Sequence, residues 1–247
     1  MSDDAEVRYT AEEALARLRE GNERFLRGEA RFPTVQKEIL ADLAKGQQPY
    51  ATILGCSDSR VPPELVFDAG FGELFVIRLA GNVLSPEVAG TMQYAGVHLK
   101  TPLVVVLGHE GCGAVQAALQ SLRQGTREKS RIEALLQNIL PGLAGIDPEL
   151  PWEEQMARAV EANVRWAMQR ILDSPEGQAR RAEGVMQLVG TIYELATGRV
   201  RFLDPGAERL APCAPASRSC SPPTSRAPNA SSGRSCCGTT PTVPGAI

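Results

Sequence analysis

The chain has 247 residues, 43% of them hydrophobic, which is enough for one globular domain with a single sizeable core. Its 26 basic and 29 acidic residues nearly balance and form no basic stripe, so neither nucleic acid nor an anionic membrane is expected as a partner. The acidic, amphipathic start lacks the features of a secretory signal, and no apolar run reaches the roughly 20 residues of a membrane span, so we expect a cytoplasmic protein.

The first predicted elements are helices. Thr10 and Glu13 have the spacing of a capping box, and apolar residues then recur at helical intervals, so the sequence predicts an amphipathic helix over 10–28. A second helix is expected over 33–46. Together these helices make residues 1–46 a helical arm ahead of the first strand.

Short β-rich runs alternate with helical stretches in the centre of the chain. The runs YATILG, ELFVIR and PLVVVLG are separated by helical patterns at 85–99 and 113–123. Such alternation predicts an α/β fold with a mostly parallel central sheet and helices on both faces. Two more helices are expected over 127–140 and 152–172, followed by a strand, a turn near Gly198 and a final antiparallel strand at the sheet edge.

The composition changes after Asp204. Residues 205–247 are rich in Pro, Ser, Ala and Arg, and they have no helical or strand periodicity. We expect this tail to be disordered, because it cannot bury enough apolar surface to offset its ordering entropy. The tail holds four of the six cysteines, and these lack the paired CxxC spacing of a zinc site. The folded domain is therefore expected to span 1–204.

Two cysteines and a histidine stand where apolar strands end. Cys56 follows ATILG, and His109 and Cys112 follow VVVLG at a strand-to-helix turn. Open α/β sheets place their sites at the carboxyl ends of parallel strands, so these side chains can converge on one ion. Two sulfurs and one nitrogen favour zinc, and three protein ligands leave a fourth position open, as in catalytic sites. The alternative is that each cysteine is a small buried hydrophobe of the core.

Asp58 and Arg60 accompany the first of these cysteines in CSDSR, and in an extended loop their side chains point to the same side. An exposed pair of this kind is commonly only a weak surface salt bridge. Beside a metal, Asp58 would either occupy the fourth zinc position or accept a hydrogen bond from a zinc-bound water. Arg60 would decide between these roles by holding the carboxylate away from the metal.

The motifs CSDSRVPPE and GHEGCGA, with the intervening GELFVIRLAGN and the closing GTIYELATGRVRFL, resemble those of the β-class carbonic anhydrases over most of the chain ahead of the tail. The resemblance implies one zinc ion per chain, with Cys56, His109 and Cys112 as its ligands and Asp58 and Arg60 as the catalytic dyad. It also implies the reaction, in which zinc hydroxide attacks carbon dioxide to give bicarbonate and a proton.

The resemblance further implies a substrate pocket. Gln47 matches the family's glutamine that hydrogen-bonds substrate, and Phe75, Ala80 and Tyr94 match positions that line a small apolar pocket. Taken alone, Gln47 is an ordinary loop residue, Phe75 a core residue and Tyr94 a helix-packing residue. Because these three come from or near the subunit interface in the family, a homodimer or a dimer of dimers is expected. Ala80 is smaller than the branched residue associated with its position.

Two other functions fit the same motifs. A hydrolase with this fold and metal would act on carbon disulfide or carbonyl sulfide, and it would differ in access to the pocket rather than in its ligands. A non-catalytic scaffold would keep zinc for stability alone. The scaffold hypothesis predicts the loss of Asp58, Arg60 or Gln47, and all of these are present.

Overall fold

A computed structural model describes residues 9–31, 37–127, 130–184 and 186–204. Its helices are α1 (Ala11–Leu26), α2 (Lys37–Leu43), α3 (Pro63–Val66), α4 (Pro86–His98), α5 (Gly113–Gln124), α6 (Arg131–Ile139), α7 (Trp152–Asp173) and α8 (Pro175–Ala182). Its strands are β1 (Ala51–Gly55), β2 (Leu74–Arg78), β3 (Leu103–His109), β4 (Gln187–Tyr193) and β5 (Val200–Phe202). Short 3-10 helices cover Ala80–Asn82 and Leu140–Leu143.

The five strands form one sheet in the order β2-β1-β3-β4-β5. β1 pairs in parallel with both β2 and β3, and β3 pairs in parallel with β4. β5 runs antiparallel to β4 and lies at the edge of the sheet. The predicted fold class is therefore confirmed, including the antiparallel edge strand near the end of the domain.

Both faces of the sheet are covered, as continuous apolar strands require. Every residue of β1 and β3 is buried. Alternate side chains of β3 enter two separate apolar clusters: Val106 packs in a cluster with residues of α4 to α7, whereas Val105 and Leu107 pack in a cluster with residues of α1 and α3. The period-2 alternation of the strand thus distributes its side chains between two helical layers.

The first helix begins with the predicted capping box. Thr10 Oγ1 accepts a hydrogen bond from the backbone N–H of Glu13 at 3.2 Å, and the Glu13 carboxylate accepts one from the backbone N–H of Thr10 at 2.8 Å. These bonds satisfy two of the N–H groups that every helix start leaves without a partner. The helix expected over 10–28 is confirmed, with its end at Leu26.

Asp68 anchors this helix and the segment after it to the domain. Its buried carboxylate accepts hydrogen bonds from Arg24 Nε at 2.6 Å and from the backbone N–H and Nε of Arg31 at 2.7 and 3.2 Å. Burial alone would raise the pKa of Asp68, but the bonds from Arg24 and Arg31 lower it below its ordinary value. The ionised carboxylate therefore stabilises the fold above about pH 4, and this contribution is lost as the pH falls through the lowered pKa.

We expect Asp68→Asn to lower the free energy of unfolding by about 2 kcal/mol at neutral pH, because two arginines lose a charged acceptor. The difference from wild type should shrink below about pH 4, where the carboxylate of the unfolded chain takes up a proton, and disappear as the pH falls through the lowered pKa of the folded state. Urea unfolding at several pH values measures both effects. Asp42→Asn is the control, since that carboxylate pairs with Lys45 on the surface, and its change should stay below about 0.5 kcal/mol. Equal losses in the two variants would contradict the anchoring role.

Some local boundaries differ from the sequence prediction. The helix expected over 33–46 is Lys37–Leu43, and 32–36 lie outside the described residues. The helix expected over 127–140 begins only at Arg131. The short helices α3 and α8 have no counterpart in the prediction, because four and eight residues are too few to display a clear helical period.

The predicted tail, 205–247, lies outside the described residues, so its disorder and the domain boundary at 204 stay predictions. The chain divides into two units, Met1–Ala207 and Glu208–Ile247, and every described residue belongs to the first. Within the described ranges, no helix has the length and apolar content needed to cross a membrane.

Candidate metal centre and active site

The sheet brings the ends of two neighbouring strands together. Because β1 and β3 are parallel neighbours, Cys56 leaves β1 beside the end of β3, whose last residue is His109. Gly111, at φ +59°, then turns the chain sharply, and this left-handed conformation is one that glycine adopts without strain. Cys112 follows at the N-cap position of α5, and its side chain makes no capping hydrogen bond. All three candidate ligands are therefore delivered to one edge of the sheet.

The side chains of Cys56, His109 and Cys112 converge. One potential ligand atom from each lies within 4.8 Å of the others, and the two sulfur atoms are 4.0 Å apart. All three residues are buried. Two sulfurs and one nitrogen form a donor set that suits zinc, and three donors leave a fourth position for water or substrate.

The ring of His109 is held in one orientation. Its Nδ1 donates a hydrogen bond to the carbonyl oxygen of Glu110 at 2.9 Å, which leaves the lone pair on Nε2. This Nε2 is buried and has no hydrogen-bond partner among the described residues. A buried polar atom without a partner costs about 1–3 kcal/mol, and coordination of a metal ion would remove that cost. The residues present therefore fit a metal ion, with the Nδ1 hydrogen bond orienting the ring.

The two cysteines have opposite pKa shifts. Hydrogen bonds from the Cys112 thiol and from the backbone N–H of Gly81 lower the pKa of Cys56, although burial opposes them. The adjacent Cys56 sulfur, together with burial, raises the pKa of Cys112. The pair is therefore arranged to carry a thiolate at Cys56 near neutral pH, and binding of a cation would displace the proton of the second sulfur.

Asp58 lies beside this cluster and is held by Arg60. Arg60 Nη2 donates to Asp58 Oδ2 at 2.7 Å, and Arg60 Nε and backbone N–H donate to Oδ1 at 2.9 and 3.0 Å. The hydrogen bonds from the Arg60 side chain hold the pKa of Asp58 well below its usual range. Asp58 Oδ2 is 3.9 Å from His109 Nε2. An ionised and oriented carboxylate therefore stands next to the candidate ligands.

The family model for carbonic anhydrase matches residues 51–200, which include the whole cluster and the strands that deliver it. The chain belongs to the carbonic anhydrase family. It is similar to carbonic anhydrase 2 of Mycobacterium tuberculosis, with 39% identity over 195 residues that cover 76% of this chain and 90% of the relative.

Solved β-carbonic anhydrases have the same fold. A tetrameric β-carbonic anhydrase from Sordaria macrospora matches with a TM-score of 0.62 and 26% identity, covering 67% of this chain and 86% of that one. The Coccomyxa β-carbonic anhydrase in complex with acetazolamide matches with a TM-score of 0.62 and 27% identity, covering 76% of this chain and 86% of that one. The class expected from the sequence motifs, β-class carbonic anhydrase, is confirmed.

The pocket residues implied by the β-class carbonic anhydrase motifs begin with Ala80 and Gln47. Ala80 directly precedes Gly81, whose N–H faces Cys56, so Ala80 lies at the cluster. Gln47 is exposed ahead of β1 and lines a cleft with Tyr50, on the side of the sheet where the strands begin. Of these two residues, only Ala80 therefore lies near the candidate ligands of its own chain.

Phe75 and Tyr94 also lie away from the cluster, towards the start of the strands. Phe75 pairs in register with Thr52, near the start of β1 and roughly 13 Å along the strand from Cys56. The ring centroids of Phe75 and Tyr94 are 6.2 Å apart, and Tyr94 on α4 is 45% exposed. These two rings form a pair at the open edge of the sheet, because β2 is an edge strand.

Further residues at the candidate metal centre have no role in the sequence prediction. Gly81 donates its N–H to Cys56 Sγ at 3.3 Å, and Asn163 on α7 donates to the Gly81 carbonyl at 2.8 Å. Arg78 donates to the backbone carbonyls of Cys56 and Asp58 at 2.9 and 2.6 Å and so fixes the loop between them. Asn163 had a detectable signal, since it interrupts the apolar face of α7. The contacts of Gly81 and Arg78 have no signal in a single sequence.

Proposed function

We propose that Cys56, His109 and Cys112 hold one zinc ion and that the chain uses this centre for the reversible hydration of carbon dioxide to bicarbonate and a proton. The observation that carries the proposal is the buried Nε2 of His109, which lacks a hydrogen-bond partner among the described residues and converges with two sulfurs beside an ionised carboxylate. The similarity to a carbonic anhydrase at 39% identity supports the same reaction.

Each residue of the centre has a defined task. A zinc ion bound there would supply a Lewis acid that makes a water molecule nucleophilic near neutral pH. Because Cys56 and Cys112 would contribute two negative charges, the zinc-bound water would be less acidic than in a site of three histidines. A nearby hydrogen-bond acceptor would therefore contribute more to activating that water. Asp58 would accept a hydrogen bond from the water and so orient a lone pair of the water oxygen towards the carbon of the substrate. Arg60 keeps Asp58 ionised and in place.

In this proposal Asp58 lies beside the metal ion rather than on it. Both of its carboxylate oxygens accept hydrogen bonds from Arg60. The group of ligand atoms that lie within 4.8 Å of one another comprises Cys56, His109 and Cys112. Of the two roles open to Asp58, fourth ligand or hydrogen-bond acceptor, this geometry supports the acceptor, with Arg60 holding the carboxylate back.

A second copy of the chain completes the substrate pocket in this proposal. Gln47 stands ahead of β1, and the extended stretch from Tyr50 to Cys56 spans roughly 20 Å, which a glutamine side chain cannot bridge. Phe75 and Tyr94 lie at the open edge of the sheet, where a partner copy would cover them. A homodimer or a dimer of dimers would bring these residues to the partner's centre. The Sordaria macrospora relative is described as tetrameric.

Mixing two impaired variants tests this shared pocket. We expect Gln47→Ala to lower carbon dioxide hydration about 10-fold, since one hydrogen bond to substrate is lost, and Asp58→Ala to lower it further. Subunit exchange between the two should restore up to about a quarter of the sites, because half of randomly formed dimers are mixed and each mixed dimer has one complete site. Stopped-flow assays before and after exchange measure the gain.

A mixture of Asp58→Ala with His109→Ala is the control. Both residues belong to the same proposed centre, so every site in the mixed dimer lacks one of them and no activity should return. If Gln47 acted within its own chain, the mixture with Gln47→Ala would gain no activity on exchange, like this control, and the shared pocket would be disproved.

The choice of substrate is tested by parallel turnover assays with carbon dioxide, carbon disulfide and carbonyl sulfide. We expect hydration of carbon dioxide to dominate, as the names of the relatives indicate for those proteins. Faster turnover of either sulfur compound would favour the hydrolase hypothesis. A chain that binds zinc and turns over none of the three would favour the scaffold.

We place the enzyme in the cytoplasm as part of the same proposal. Cys56 and Cys112 are free, and their sulfur atoms lie 4.0 Å apart. An oxidising compartment would favour a bond between these sulfurs at the expense of metal binding, whereas a reducing one keeps them as ligands. Subcellular fractionation checks this location.

A further inference from the structure

The sulfur of Cys56 receives a hydrogen bond from a tight turn. The donor is the N–H of Gly81, at 3.3 Å. Gly81 has φ +69°, and a Cβ there would lie 2.7 Å from Ile139 Cδ1 and 3.1 Å from Ala114 Cβ, so glycine alone fits the backbone and the space. The next residue, Asn82, is also left-handed, at φ +44°. Asparagine tolerates this conformation better than other residues with a side chain, but it is less favoured there than glycine, so the turn gains from support from elsewhere.

A buried side chain of another element supplies this support. Asn163 on α7 is 2% exposed, and its Nδ2 donates to the Gly81 carbonyl oxygen at 2.8 Å, with Asn82 Oδ1 at 3.5 Å. The backbone N–H of Asn82 closes the turn on the carbonyl of Leu79 at 2.9 Å. The turn is therefore held by its own hydrogen bond and by one from α7.

The position of Asn163 is one that the core would otherwise fill with an apolar side chain. It shares the buried face of α7 with Ala159, Val160, Val164 and Ala167. A polar side chain loses its hydration there, and only its hydrogen bonds offset that loss. Those bonds go to a turn whose N–H meets a candidate metal ligand, which points to a task at the metal centre rather than in packing.

We propose that Asn163 is a positioning residue for the metal centre: through Gly81 it aims an N–H at Cys56 and sets how strongly that sulfur binds and donates to the metal. The inference rests on the zinc centre proposed above. A hydrogen bond to a thiolate stabilises its negative charge and fixes its orientation, so the sulfur is ready to bind a cation, and such outer contacts tune ligand strength. Without the Asn163 amide, the Gly81 carbonyl loses its partner, the turn relaxes and the N–H no longer points at the sulfur.

Asn163→Leu removes the donor while keeping the number and branching of the side-chain heavy atoms. We expect the dissociation constant for zinc, measured by competition with a chromophoric chelator, to rise about 10-fold, as for other lost outer contacts of metal ligands. The thiolate-to-metal charge-transfer band of the cobalt-substituted protein should shift as well. Wild-type zinc affinity together with an unshifted band would overturn the proposal.

Gln155→Ala is the matched control. Gln155 is also a buried polar residue of α7, but its Nε2 donates to the carbonyls of Pro148 and Leu150, away from the metal centre. We expect this variant to lose thermal stability while its zinc affinity and cobalt spectrum stay at the wild-type values. If both variants changed affinity and spectrum equally, the effect of Asn163 would be a general loss of stability and the proposal would fail.

A measurement on the wild-type protein does not depend on the folding of any variant. In protein substituted with an NMR-active cadmium isotope, the amide proton of Gly81 should show scalar coupling to the metal across the sulfur of Cys56. An absent coupling at Gly81 in metal-loaded protein would overturn the first step of the inference. A wild-type chain that binds no metal at all would instead contradict the zinc centre, so the two failures are distinguishable.

Discussion

Cys112→Ser should remove both the metal and the activity. A serine hydroxyl stays protonated near neutral pH and is a poor zinc ligand, so the remaining two donors would hold the ion weakly. We expect zinc content after dialysis against a chelator to fall far below one per chain and carbon dioxide hydration to fall at least about 10³-fold, because the activated water is lost. Atomic absorption and stopped-flow assays on the same preparation measure the two effects.

Cys213→Ser is the control for this substitution, since Cys213 belongs to the predicted tail rather than to the proposed centre. It should keep wild-type zinc content and rate. Circular dichroism of Cys112→Ser should retain the helical signal, because the sheet and its two apolar clusters do not depend on one thiol. Full zinc content and full activity in Cys112→Ser would exclude this residue as a ligand.

Asp58→Asn should separate catalysis from metal binding. The amide keeps the shape of the side chain but loses the charge that accepts the hydrogen of the nucleophilic water, and Arg60 loses its ionic partner. We expect kcat for hydration to fall by about 10² to 10³, in the range of a lost proton acceptor. Zinc content should stay near one per chain, because Asp58 is not among the proposed ligands.

Asp147→Asn is the matched control for Asp58→Asn, because Asp147 is an exposed acid in a loop away from the centre. Its hydration rate should equal that of wild type. Two results would contradict the role given to Asp58. A wild-type rate in Asp58→Asn would remove it from the reaction, and a large loss of zinc affinity would place it on the metal as a fourth ligand.

The fold and the candidate metal cluster could be predicted because their signals are local. Cys56 directly follows ATILG, and His109 directly follows VVVLG with Cys112 three residues later. The carboxyl ends of neighbouring parallel strands meet at one edge. The strand order supplies that neighbourhood, because β1 and β3 lie side by side in the sheet. A residue type next to a predicted strand end is therefore informative without any knowledge of long-range contacts.

The support around the cluster depends on contacts between distant parts of the chain. Asn163 lies 82 residues beyond Gly81, and Arg78 reaches Cys56 across 22 residues. No periodicity or spacing links these pairs, so only the polar interruption of the apolar face of α7 could have drawn attention to Asn163. Short helices such as α3 escape prediction for a different reason, because four residues contain barely one helical turn.

The substrate pocket shows a further limit of reasoning from a single sequence. Gln47, Phe75 and Tyr94 are assigned by their match to family positions, and the described chain places them towards the start of the strands or on the open edge of the sheet. Their proposed task requires a second copy of the chain. Nothing in the order of residues along one chain encodes which copy a side chain serves.

Stopped-flow hydration of carbon dioxide, with zinc quantified in the same preparation of the full chain, tests the proposed zinc centre most directly. The assay should run from about pH 6.5 to about pH 9, the range in which a metal-activated water loses its proton. We expect close to one zinc per chain and a hydration rate that rises with pH as the nucleophile forms. One zinc per chain with no hydration at any of these pH values would contradict the proposed function.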